Sequence, residues 1–152
     1  MLYAYDEFLP RPTLDVDFMG IRISNDKNAI INAFKEIVSD PTIDDGIRFM
    51  PDSIDASDIA VERKYPGVRI TVVGFLDTVR KELTFDIGFG DVIIPQPVMM
   101  EYPTIIDDME NPRLAAYSLE TVVAEKFQTV VEKSVFNSRM KDFYDLYQYC
   151  PK

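Results

Sequence analysis

Histidine is missing from this 152-residue chain, and cysteine occurs once, as Cys150. Without histidine the commonest general base and the usual zinc ligand are both absent, so any catalysis must run on carboxylates, lysine, arginine and tyrosine. A single cysteine excludes an internal disulfide. The first residues, MLYAYDEF, show no basic stretch leading into an apolar run, and no long uncharged apolar run occurs anywhere. Neither a secretory signal nor a membrane-spanning helix is predicted, and the expected location is the cytoplasm. Basic charge is also scarce: 16 lysines and arginines face 26 aspartates and glutamates, for a net charge of -10. Domains that grip nucleic acid draw most of their affinity from phosphate neutralisation, so this balance argues against broad nucleic-acid binding. A divalent cation held by clustered carboxylates would invert the sign locally, which keeps a metal-bridged nucleotide compatible with the acidity.

What is present is enough for a core. A hydrophobic share of 47% with 12% aromatic residues fits one globular domain. The segment MLYAYDEFL reads as the end of a helix, broken by Pro10 and Pro12. A strand follows around Asp15, and then a helix in NDKNAIINAFKEIVSD, with Ile30, Ile31, Phe34, Ile37 and Val38 on one stripe and Asn25 or Asp26 as its cap. GIRFMPDSIDASDIAVERKY reads as one or two short strands joined by polar turns. Val68 to Leu76 and Glu82 to Phe89 read as an antiparallel hairpin, and MMEYPTIID as an edge segment. The last third turns helical in SLETVVAEKFQTVVEK and SRMKDFYDLYQYC, with Ser118 and Ser138 as candidate N-caps. The expected architecture is an α+β fold: a mixed sheet carrying helices over residues 1-110, and a C-terminal helical region over 111-152 packed on it as part of the same domain.

The stretch RPTLDVDFMG carries the first chemical signal. Side chains alternate along a strand, so Leu14, Val16 and Phe18 share one face, while Thr13, Asp15 and Asp17 share the other. Two carboxylates that point the same way repel each other unless a cation or a hydrogen-bond network lies between them. LTFDIGFGD repeats the setting, with Asp86 on the polar side of a strand whose other face is Leu83, Phe85, Ile87 and Phe89. If the two strands are neighbours, Asp15, Asp17 and Asp86 converge as hard oxygen ligands for one or two magnesium ions. The bland alternative is a one-sided sheet whose acids face water.

The C-terminal helices carry the second signal. Lys126 falls inside the stripe Leu119, Val122, Val123, Phe127 and Val130, and Arg139 inside the stripe Phe143, Leu146, Tyr147 and Cys150, with Asp142 one turn on as its expected partner. A lysine on a buried face either runs its stem out to water or meets a phosphate or carboxylate.

RPTLDVDF, the FDI pattern and above all YSLETVVAEKFQTVVEKSVFNSRMKDFYDLY resemble the AbiEii/AbiGii toxin family of nucleotidyltransferases, a branch of the DNA polymerase β-like fold. The likeness covers nearly the whole chain. It implies a magnesium- or manganese-dependent enzyme of the toxin-antitoxin, abortive-infection type that transfers a nucleotide from a nucleoside triphosphate to an acceptor such as tRNA. By match, Asp15, Asp17 and Asp86 would hold the metal, and Lys126 and Asp142 would complete the catalytic set. Arg11, Thr13, Lys126 and Arg139 are expected at the nucleotide. The family's glycine turn, which cradles phosphates upstream of the DxD, and its C-terminal extension are not in the sequence, so a chain clipped at both ends is expected. A catalytically silent fragment that binds a cognate antitoxin is the alternative. A metal-dependent nuclease would need no glycine turn but would not explain the C-terminal block.

Overall fold

The computed structural model describes residues 15–40, 46–59, 66–90, 93–104, 109–134, 138 and 140–149. Their architecture is α+β, with a four-stranded mixed sheet, a two-stranded sheet and three helices. They fall into two compact units, one within Pro12–Asp91 and the other within Val92–Lys152.

The first unit holds β1 (Asp15–Gly20), α1 (Lys27–Val38), β2 (Ile47–Ile59), β3 (Gly67–Leu76) and β4 (Val79–Phe89), with the strands in the order β1-β4-β3-β2. The β3–β4 hairpin forms as the alternation predicts, and β2 adds antiparallel to its other side. β1 joins the sheet parallel to β4. Val68, Ile70 and Val72 of β3 are the fully buried centre, because β-branched side chains pack densely on one face of a pleated strand. Ile30, Ile54, Ile87 and Phe89 complete this core, with Ile31, Phe34, Val38 and Phe85 packed against it. Phe85 lies in ring contact with both Phe18 and Phe34.

α1 begins at Asp26 rather than Asn25: the Asp26 carboxylate accepts the Ala29 N–H at 2.9 Å, satisfying one of the helix's open donors. Ile37, placed by its spacing on the buried stripe, is instead 61% exposed. β2 is one strand of 13 residues, where Pro51 and Asp52 suggest a break. A register shift between Met50 and Asp55 absorbs both residues. Ser53 secures it, donating from Oγ to the Met50 carbonyl at 2.6 Å and accepting the Val73 N–H at 2.9 Å.

The second unit holds β5 (Val98–Glu101) paired antiparallel with β6 (Arg113–Ala116), then α2 (Leu119–Lys133) and α3 (Met140–Tyr149). The segment expected at an edge of the mixed sheet forms β5, but in a separate two-stranded sheet with β6. α2 starts at Ser118, whose hydroxyl accepts the Thr121 N–H at 3.3 Å. Hydrogen bonds from its own backbone N–H and from the Ser118 hydroxyl hold the Glu120 carboxyl below the usual carboxylate range. The buried faces of both helices differ from the apolar stripes. In α2 Thr121 and Val122 are buried and Phe127 is 61% exposed, while α3 buries Asp142 and Asp145 and leaves Phe143 and Tyr147 outside. The expected N-terminal helix end lies outside the described residues, as do Arg11, Thr13, Arg139 and Cys150. No described helix is long and apolar enough to cross a membrane.

Candidate functional site

The parallel pairing of β1 with β4 sets the geometry of the acidic face. Asp17 is the register partner of Asp86, and Asp15 is the partner of Thr84. Directly opposed residues on neighbouring strands project to the same face, and adjacent strands lie about 4.8 Å apart. Asp17 and Asp86 therefore stand side by side on the face opposite Phe18, Phe85 and Ile87. Period-two alternation accounts for this: Ile87 is buried in the core and Phe85 packs against it, which leaves the aspartates the other face. Asp17 is exposed and Asp86 half-buried.

Asp86 has a further neighbour in β3. Arg69 is its register partner across the antiparallel β3–β4 pair. The guanidinium donates from Nε to Asp86 Oδ1 and from Nη2 to Oδ2, each at 2.7 Å. This fork is the strongest common geometry for a cation on a carboxylate. Across three adjacent strands the order is acid, acid, base: Asp17, Asp86, Arg69. The sequence pattern points to the two aspartates but not to Arg69, although a cation alternating with Val68 and Ile70 is the signal that could have found it. Among the described residues no group of three or more carboxylate, cysteine or histidine ligands is gathered at metal-binding range.

The second set of charges lies between α2 and α3. The Lys126 ammonium is 2.7 Å from Asp145 Oδ2 and 3.4 Å from Asp142 Oδ1, with both carboxylate side chains only 4% exposed. Lys126 thus neither runs out to water nor sits unpaired in an apolar stripe. It bridges two buried acids, and this explains why α3 turns Asp142 and Asp145 inward in place of Phe143 and Tyr147. The described contacts pair Asp142 with Lys126, while Arg139, the partner that spacing predicts for it, lies outside the described residues. Asp145 escapes a reading from sequence because carboxylates are not counted toward a buried face. Its place three residues after Asp142, on the same side of a helix, is the available signal.

No curated protein and no solved structure gave a match to the chain. The profile described as nucleotidyl transferase AbiEii toxin, Type IV TA system, matches residues 1–151, essentially the whole sequence. On that coverage the chain belongs to the AbiEii nucleotidyl transferase toxin family.

Proposed function

We propose that this protein transfers a nucleotide from a nucleoside triphosphate to an acceptor, with magnesium or manganese held by Asp15, Asp17 and Asp86. The reading rests above all on the register of Asp17 with Asp86, which aligns two carboxylates from different strands on one face. The donor set fits the ion, since magnesium prefers hard oxygen ligands and usually takes only one or two carboxylates besides phosphate and water. A divalent ion bound there would polarise the triphosphate and offset its charge.

In the reaction the acceptor oxygen bonds to the α-phosphorus, the bond to pyrophosphate breaks, and the acceptor hydroxyl proton passes to a carboxylate of this set. Asp86 is assigned either to the ligand set or to aligning that hydroxyl. The resemblance also assigns Lys126 to the phosphate; within its own unit its ammonium is held by Asp142 and Asp145. Arg11, Thr13 and Arg139 are assigned to the nucleotide by the resemblance. The acceptor is taken to be RNA, such as the end of a tRNA, the setting the cytoplasm, and the regulating partner a cognate antitoxin.

One observation favours a second reading. The Arg69 fork takes both oxygens of Asp86, an arrangement that a silent chain which only binds a protein partner would keep. Incubating the protein with α-labelled nucleoside triphosphates, magnesium and total cellular RNA separates the two. Transfer predicts label in RNA with wild type and none with Asp17→Asn, and label in neither would favour the silent reading.

A further inference from the structure

We infer that Arg69 is the resident cation of the acidic strand face: it occupies Asp86 when no metal is bound and must release it when a divalent ion binds. The inference rests on the metal site proposed above and adds a residue with a defined task to it.

The position of Arg69 carries the inference. Asp17 and Asp86 are directly opposed on neighbouring strands, where like charges destabilise the pairing. The next residue in that row is Arg69, and its fork takes both oxygens of Asp86 at 2.7 Å. A guanidinium there compensates the carboxylate pair in the metal-free protein. A divalent ion needs at least one of the same oxygens, and its two positive charges would repel a cation already seated on that carboxylate. Arg69 and metal therefore compete for Asp86, and competition of this kind is reciprocal: whatever weakens one partner strengthens the other. Exposure supports a mobile guanidinium. The Arg69 side chain is 44% exposed and the Asp86 side chain 19%, so the arginine can swing toward water while the carboxylate stays in place. Lysine would serve this role poorly, because it offers a point charge in place of the planar fork. Arg69 is thus a positioning residue that sets how readily Asp86 accepts a metal.

The test is manganese binding, followed by the ion's paramagnetic signal without any substrate, in wild type, Arg69→Gln, Arg69→Lys and Asp17→Asn. Arg69→Gln removes the competitor, so the expected result is tighter manganese binding, roughly fivefold, from an exposed pair at the upper end of its usual strength. In the same variant the melting temperature of the metal-free protein falls and manganese restores it. Arg69→Lys, which keeps the charge, should shift binding in the same direction by less, and it carries the comparison if Arg69→Gln does not fold. A purely structural arginine would lower the melting temperature and weaken manganese binding together. Equal or weaker binding in both Arg69 variants, with binding in wild type that Asp17→Asn abolishes, overturns this inference alone. Absence of manganese binding in wild type and Arg69 variants alike overturns it together with the metal site.

Discussion

On the β1–β4 face the carboxylates stand on neighbouring strands within reach of water, whereas between α2 and α3 two carboxylates are nearly sealed off and share one lysine. Both are clusters of acids held by a basic side chain, yet the physics differs. At Asp86 solvent screens the charges, so the Arg69 pair is worth little to stability and its partner can be exchanged. At Asp142 and Asp145 the charges have lost their water, so removing the lysine takes away a close counter-charge that solvent cannot replace. The two clusters therefore suit different roles. An exposed, exchangeable acid row suits a ligand that comes and goes, and a buried ion bridge suits a group held in one place.

The largest effect that can break this comparison is expected at Lys126. Lys126→Met keeps most of the stem and deletes the charge, leaving Asp142 and Asp145 buried without it. The expected loss is about 3–5 kcal/mol of folding stability, read from urea denaturation. A change within about 0.5 kcal/mol, of the size usual for a surface substitution, would show that the two clusters do not differ in kind.

A smaller effect, of opposite sign, is expected at the strand face. Asp17→Asn removes one of two opposed negative charges while keeping the side-chain shape, so metal-free stability should hold or rise by about 0.2–1 kcal/mol. Denaturation of this variant beside Lys126→Met sharpens the comparison. A loss above about 2 kcal/mol would mean that the fold depends on Asp17 as heavily as on the buried acids.

How much of this was legible follows from what each signal depends on. The Asp15–Asp17 spacing, the apolar bracket around Asp86, the β3–β4 hairpin and the spans of α1 and α2 are local patterns, and alternation or helical spacing exposes them directly. The parallel pairing of Asp17 with Asp86 joins segments far apart in sequence, and no local pattern fixes such a register. β2 was harder to read because Pro51 and Asp52 look like a turn, while the structure absorbs them as an irregularity held by Ser53. β6, with Arg113, Leu114, Ala115 and Ala116, has none of the β-branched residues that announce a strand. Apolar spacing predicts the wrong inward face for α3, because an internal ion bridge defines that face.

The measurement that bears most directly on the acidic face is a crystal structure of the full chain grown with manganese, with anomalous scattering used to locate the ion. The account predicts an anomalous peak coordinated by the Asp17 and Asp86 carboxylates, with the Arg69 guanidinium moved off at least one Asp86 oxygen. A fully occupied Arg69–Asp86 fork with no manganese peak on that face, in crystals saturated with the ion, would contradict it.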